Sequence, residues 1–464
     1  MRLAIDIGGT FTDIVLENKN DLITKKVLTS ISQPEQAVIA GITELLEENK
    51  IMSSEIKMII HGTTLATNAV IERKGAKTCF ITTEGFRDVL DIGYESRFDQ
   101  YDILIEKTMS LVPRKHRYVV EERTDVNGSI IKPINIDVFE DLVDKIKGEN
   151  FQSVGIGFLH SYANPKNENI LKDFLIEKLP GVEVSISSDV CPEIREYERF
   201  TTTVVNAYIK PLMANYLKKL DSELKGKGFN CSLLLMTSGG TLTNIESACN
   251  NPVRLVESGP AGGAILATSI ADDLNLNKVI SFDMGGTTAK ITIIENKKAI
   301  KAREFEVDRK ARFKKGSGLP LRIPVIEMVE IGAGGGSIAR VNKLEQIITG
   351  PDSAGSFPGP ACYNNGGVKP TITDADLVIG KINPNNFAGG KIKLSKDLAT
   401  KAIKKDICDF IKLDTETAAL AISEIVDETM SNAARVHTVE QGHETSNRTL
   451  IAFGGAAPLH IARV

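Results

Sequence analysis

Two aspartates, Asp6 and Asp283, each stand two residues ahead of a Gly-Gly-Thr triplet. Their surroundings match as well: Leu3 to Asn18 reads LAIDIGGTFTDIVLEN and Val279 to Asn296 reads VISFDMGGTTAKITIIEN. In each, an apolar run ends at the carboxylate, a glycine-threonine bend follows, and a second apolar run leaves it. Glycine lets a backbone come close to a ligand. Successive N–H groups at such a bend form a concave anion site, and Thr10, Thr12, Thr287 and Thr288 add hydroxyl donors. A carboxylate beside a bound phosphate would repel it unless a cation lay between them. Asp6 and Asp283 therefore point to Mg²⁺, held through water by one or two carboxylates together with phosphate oxygens. Two such bends gripping one polyphosphate from opposite sides would form a clamp for ATP. A plain hairpin turn explains either bend alone better than it explains both with an aspartate before each.

Other phosphate-binding signatures do not fit. No GxxxxGK[ST] leads into a helix, and no GxGxxG follows the first strand. A third element closes the chain: TLIAFGGAAPLHIARV reads as a strand, Gly454-Gly455, then a helix start. Such a turn can accept an adenine-ribose against bare backbone.

The elements that must position these residues are short strands alternating with helices, the pattern of an α/β fold. Leu3 to Gly8 and Phe11 to Leu16 read as a β-hairpin. Helical spacing covers Pro34–Asn49, Phe139–Lys147, Asn167–Leu179 and a long stretch from about Thr201 to Lys225. A glycine-dense, loop-rich stretch follows the second hairpin from Lys314 to Gly390. A last helix over Asp397–Gly442 breaks near Leu413. The repeat of the acidic hairpin suggests two related halves facing one another. The clearest boundary lies between Leu179 and Glu193, which gives an N-terminal domain over 1–185 and a second over 190–464.

Composition excludes several classes. At 464 residues with a net charge of -4, the chain offers no electrostatic case for nucleic acid or an anionic membrane. Six scattered cysteines without a CxxC pair read as reduced thiols rather than a disulfide frame or zinc site. The start RLAID has no signal-peptide pattern, and no apolar run has the length of a membrane span. The expected setting is the cytoplasm.

The order of parts resembles the actin, Hsp70 and sugar-kinase superfamily of ATPases. The segments HGTTLATNAVIERKGAKTCFITTEGFRDVLDIG, SGPAGGA, FDMGGTTAK, IGAGGGSIA, GPDSAGSFPGPACY, PTITDADLVIG and FGGAAPLH are similar to the A subunit of hydantoinase/oxoprolinase enzymes. The resemblance runs from Ile5 to His460. It implies duplicated actin-like (ribonuclease H-like) domains with a nucleotide cleft between them. It also implies an ATP-dependent attack on a cyclic amide, with ATP phosphorylating the carbonyl oxygen before ring opening, and a B-type partner subunit. By position, Asp6 and Asp283 become the Mg²⁺-side carboxylates. Gly8, Gly9, Thr10, Thr12, Gly285, Gly286, Thr287 and Thr288 become phosphate contacts, and Gly454 and Gly455 lie near the adenosine. Asp13 either orients Mg²⁺ waters or is a hairpin salt-bridge partner.

Weaker motifs carry open alternatives. In HGTTLATN, His61, Thr63, Thr64 and Asn68 face the substrate, or a threonine caps the helix with His61 packed beneath it. Gly334 to Ser337 form a third anion nest or a hairpin tip. Ser258-Gly-Pro-Ala-Gly-Gly starts a helix close to a ligand or packs tightly. Thr373 reads as an N-cap, with metal contact the lesser reading for Asp374 and Asp376. Cys362 has no histidine partner and is not expected to be a nucleophile. Family members run on well beyond Val464, so the second half is expected to be incomplete and the chain a fragment. VEQGHETSNRTL also lacks the proline-containing turn expected before the last strand. The competing functions are a ketone carboxylase subunit, a small-molecule kinase and an actin-like regulatory ATPase. A homo-oligomer is compatible with all of them.

Overall fold

The computed structural model describes residues 1–8, 11–19, 21–30, 33–94, 97–311, 315–387, 390 and 392–464. Contacts divide the chain into two compact units. The first comprises Met1–Gly262 with Lys301–Ile326, and the second Gly263–Ile300 with Glu327–Val464. The domain boundary expected at 185–190 therefore lies inside the first unit.

In the first unit, strand β1 (Arg2–Ile7) alternates exposed and buried residues, so Leu3, Ile5 and Ile7 enter the core. It pairs antiparallel with β2 (Phe11–Asn18), which pairs with β3 (Asp21–Leu28). Helix α1 (Pro34–Glu48) sets Val38, Ile42 and Leu45 into the same core. Strand β4 (Met58–Thr63) joins β1 in parallel on its other side, and helix α2 (Leu65–Ile71) follows it. The sheet continues from β4 to a strand at Ser232–Met236 and ends at Leu242–Asn244. A second sheet places Thr78–Thr83 between Arg117–Val120 and Ser153–Gly157, with Glu183–Ile186 at the edge.

The long helix α3 (Glu196–Gly226) buries Val205, Ile209, Met213 and Leu217 against the first core. It begins five residues before the expected Thr201. The fully buried Arg199 fastens its first turn, donating from Nη2 to the Phe158 carbonyl at 2.9 Å and from Nη1 to the Glu193 carbonyl at 2.9 Å. Helix α4 (Ser258–Asp273) begins in this unit and ends in the other.

The second unit repeats the path around its own hairpin. Strand β5 (Lys278–Met284) pairs antiparallel with β6 (Ala289–Glu295). Strand β7 (Ser337–Val341) and its partner at Ile347–Ser353 follow in the glycine-rich stretch, which is thus far from structureless. Helix α5 (Ile372–Val378) comes next. The expected helix over 397–442 starts at Lys396, breaks at Lys412 with φ 53°, and resumes as α6 (Thr415–Glu440) behind an Asp414 cap. Strand β8 (Thr449–Phe453) then joins β5 in parallel, and the short helix α7 (Ala457–His460) follows. Thus β4–β1–β2 and β8–β5–β6 share one topology: a parallel neighbour on one side of the acidic strand and a hairpin partner on the other. Phe282, Ile291, Ile372, Ile422 and Val426 lie in this unit's core. Among the described residues no helix is long and apolar enough to cross a membrane.

Candidate functional site

Asp283 sits next to the end of β5, in register with Lys290 on one side and Phe453 on the other. The bend after it is closed by a Gly285 N–H to Thr288 carbonyl bond of 3.1 Å. Gly286 and Thr287 are exposed, while Asp283, Gly285 and Thr288 are half-buried. A Cβ on Gly285 or Gly286 would meet no atom within 4 Å, so one side of the bend has room for a ligand.

The other side is braced. Gly335 N–H donates to the Gly285 carbonyl at 3.1 Å and Gly336 N–H to the Gly286 carbonyl at 2.7 Å. A Cβ on Gly334 would stand 2.5 Å from the Thr287 carbonyl carbon, so only glycine allows this stacking. The Gly335 and Gly336 N–H groups are thereby spent on backbone. The expected anion nest at 334–337 is instead a support for the Asp283 bend.

That support is tied to α5. Thr373 donates from Oγ1 to the Gly335 carbonyl at 2.7 Å, and its N–H reaches the same carbonyl at 2.8 Å. The expected N-cap at Thr373 is corrected to Thr371, which forms a capping box with Asp374. Asp374 also accepts the N–H groups of Ala361 and Cys362 at 3.2 and 2.7 Å, which occupies its carboxylate. Asp376 faces His460 instead, with Oδ2 3.1 Å from Nε2. The lesser reading of Asp374 and Asp376 as metal contacts thus fails on their partners. Cys362 is fully buried, and burial pushes its thiol well up, which agrees with its expected lack of nucleophilicity.

The turn after β8 completes this site. Gly454 has φ 91°, and Ala456 N–H donates to the Met284 carbonyl at 2.9 Å. Gly454 and Gly455 are exposed, and a Cβ on Gly455 would meet open space.

In the first unit, Asp6 closes β1 opposite Asp13 in β2 and Gly62 in β4. Asp6 is exposed to solvent, but atoms crowded around its carboxylate and then the Asp13 charge raise its pKa, with Lys26 opposing them. Asp13 itself pairs with Lys26 at 2.6 Å, the hairpin salt bridge of the two expected roles. Gly9 and Thr10 lie outside the described residues. Thr12 is fully buried and hydrogen-bonds Thr29 at 3.0 Å, while Thr29 donates to the Gly8 carbonyl at 3.0 Å. Thr12 therefore braces the bend and has no face for a phosphate, contrary to expectation.

For His61 the second of its two readings holds, packed beneath the turn. Its imidazole is fully buried, with Nδ1 3.4 Å from the Ile5 carbonyl and Nε2 2.9 Å from the Tyr216 hydroxyl, and offers no exposed atom to a substrate. Burial lowers its pKa to about 4, so the ring is neutral. Thr63 accepts the Leu65 N–H at 3.1 Å, and Thr64 donates to the Ile7 carbonyl at 3.1 Å. Thr64 and Asn68 are half-buried. The start of α4 approaches here too: a Cβ on Gly259 would lie 3.6 Å from Asp6 Oδ1, and Ser258 donates to the Thr63 carbonyl at 3.1 Å. The pattern SGPAGGA thus places a helix N-terminus near Asp6.

Among the described residues no three His, Cys, Asp or Glu side chains converge to hold a metal. A carboxylate at a strand end beside a glycine bend suits a hard cation that keeps most of its water and takes phosphate oxygens, as Mg²⁺ does.

The comparisons agree with this arrangement. The model of the hydantoinase/oxoprolinase family matches residues 199–464, and that of its N-terminal region matches residues 2–179. An uncharacterized protein of Methanocaldococcus jannaschii is 43% identical, over 99% of this chain and 68% of its own length. The caprolactamase subunit alpha of Pseudomonas jessenii is 32% identical, over 100% of this chain and 66% of its own length. The chain thus spans about two thirds of the length of these relatives. Among solved structures, nucleotide-free acetone carboxylase superposes with a TM-score of 0.84 at 27% identity, over 99% of this chain and 66% of the other. The ATP-dependent caprolactamase of Pseudomonas jessenii gives 0.83 at 31%, over 100% and 67%. From the acidic bends at its core to the family models that cover nearly its whole length, the chain belongs to the hydantoinase/oxoprolinase family.

Proposed function

We propose that this chain is the nucleotide-binding subunit of an ATP-dependent enzyme that opens a cyclic amide. The observation that carries the reading is the Asp283 bend. It has a carboxylate at the strand end, two glycines open to a ligand on one side, and backbone bracing on the other. An amide carbonyl is resonance-stabilised and a poor electrophile. Transfer of the γ-phosphoryl group to that oxygen, with ADP leaving, makes the carbon electrophilic. Water adds to it, the C–N bond breaks with the nitrogen taking up a proton, and a second water releases phosphate from the acyl phosphate so formed.

In this reading the N–H groups and hydroxyls of Gly286, Thr287 and Thr288 bind phosphate oxygens. Gly454 and Gly455 border the adenosine. Gly8 and, by the symmetry of the sequence, Gly9 and Thr10 take the same part at Asp6. Asp6 and Asp283 would hold Mg²⁺ through water, and when bound it neutralises charge on the transferring phosphoryl group. Thr64 and Asn68 remain on the substrate side, and Asp13 stays with Lys26. Relatives named as subunits, caprolactamase alpha and acetone carboxylase beta, support a partner subunit of the B type. A cytoplasmic setting fits the buried thiols.

A second reading, ketone carboxylation, is favoured by the acetone carboxylase superposition. Both share ATP activation of a carbonyl. ADP release by the chain with its B-type partner separates them, screened against lactams, hydantoins, 5-oxoproline and ketones. Lactam-stimulated release without bicarbonate supports the first; strict dependence on a ketone plus bicarbonate supports the second. A stable phosphorylated product would make the protein a kinase and overturn both.

A further inference from the structure

His460 is fully buried at the end of α7, five residues after Gly455. Its Nδ1 lies 2.7 Å from Asp427 Oδ1 on α6, and its Nε2 lies 3.1 Å from Asp376 Oδ2 on α5. Both carboxylates are themselves buried. One imidazole thus ties α7 to α6 by a hydrogen bond and stands within ion-pair distance of α5, where its Nε2 makes no hydrogen bond.

Two of these helices, α7 and α5, back the Asp283 bend. Helix α7 continues directly from the Gly454–Gly455 turn and is hung on β5 by the Ala456 to Met284 bond. Helix α5 holds the Gly334–Gly336 loop through Thr373, one turn before Asp376 and on the same side of the helix. Helix α6 carries Asp427 and Ser423. We propose that His460 is a positioning residue for the nucleotide. As a cation it clamps the Gly454–Gly455 turn and the Gly334–Gly336 loop around the Asp283 bend, and as a neutral ring it releases them.

The charge balance explains why the proton matters. The groups facing the imidazole are Asp376 and, beyond it, Lys381, whose Nζ is 3.8 Å from Asp376 Oδ1 and 2.8 Å from Ser423 Oγ. From α6 come Asp427 and Ser423, the latter donating to Asp376 Oδ1 at 3.4 Å. The nearby Arg463–Glu424 pair is exposed and self-contained. Two buried carboxylates are matched by imidazolium and ammonium. Loss of the imidazole proton leaves one carboxylate uncompensated in a dry interior, which is strongly unfavourable. Burial alone would lower the His460 pKa, but the two carboxylates outweigh it and raise it to about 9.

The inference rests on the nucleotide reading above, so its test has two independent readouts. The first is the affinity of the full chain for Mg·ADP by calorimetry from about pH 7 to about pH 10, where the nucleotide phosphates no longer titrate. Binding should weaken about tenfold as pH rises through about 9. Asp427→Asn, of the same shape, should move that midpoint to lower pH. His460→Gln should bind weakly at every pH. The second readout is amide hydrogen exchange without nucleotide. Exchange at Gly334–Gly336 and Gly454–Gly455 should speed up in His460→Gln and in the wild type above about pH 9, after correction for the intrinsic pH dependence. Flat affinity across the range, or unchanged exchange in a folded His460→Gln, would overturn the role of His460. If the wild type binds no nucleotide at any pH, the nucleotide reading fails, while the exchange data still decide whether His460 holds the two segments.

Discussion

A Cβ on Gly454 would stand 2.5 Å from Oδ1 of Asp283. The closeness follows from register: β8 runs parallel to β5 with Phe453 opposite Asp283, so the chain turns immediately beside the carboxylate. The turn needs φ 91° as well, which side chains rarely adopt. The residue that shapes the expected adenosine wall and the carboxylate expected to hold Mg²⁺ therefore constrain one another.

Gly454→Ala should lower stability by about 1–3 kcal/mol through backbone strain. It should also weaken nucleotide binding by displacing Asp283. Gly455→Ala, whose Cβ enters open space, should leave the unfolding temperature nearly unchanged. Thermal unfolding of the two variants, side by side, checks the contrast.

Thr12, paired with Ile7 in the first hairpin, and Thr287, in the bend of the second, should behave differently. Thr12→Val breaks the Thr12–Thr29 link behind Gly8 and should cost about 1–2 kcal/mol of stability. Thr287→Ala alters an exposed residue. It should move stability by less than about 0.5 kcal/mol while weakening nucleotide binding. Denaturant titrations and calorimetry on both variants measure this.

His61 makes stability depend on mild acid. Its folded pKa of about 4 lies below the ordinary 6.5, so the unfolded chain takes up the proton first. The stability tied to the neutral ring is fully present above about pH 6.5 and is lost as pH falls toward 4, by roughly 3 kcal/mol at most. The fall should be smaller in His61→Gln. Urea unfolding of both proteins between those pH values gives the difference directly.

Asp13→Asn removes an ion pair that is about half exposed on both sides. It should cost less than about 1 kcal/mol and leave ATP turnover within about threefold, a ratio worth less than 1 kcal/mol. A large loss of turnover would return Asp13 to the waters around the cation.

Much of this was legible from residue pattern. Apolar runs on either side of the two glycine-threonine bends located both hairpins, and apolar spacing located α1 within a residue. Thr371-Ile-Thr-Asp374 carries a capping-box signature two residues before Thr373. Thr12 was read as a ligand contact because its hydroxyl is two residues from the triplet. Strand alternation turns that hydroxyl inward, toward Thr29. Of the two readings of His61 the packed one follows from its strand, since a polar side chain in a parallel strand flanked on both sides is enclosed. The Asp376–His460–Asp427 cluster had no local signal, since its members lie 33 and 84 positions from the histidine and meet only when three helices pack.

Calorimetry of ATP binding to the wild type and to Asp283→Asn, with and without Mg²⁺, tests the central claim most directly. The account predicts Mg²⁺-dependent binding by the wild type and a loss of at least about tenfold in the variant, with equal unfolding temperatures. Equal, Mg²⁺-independent binding by the two proteins would contradict it.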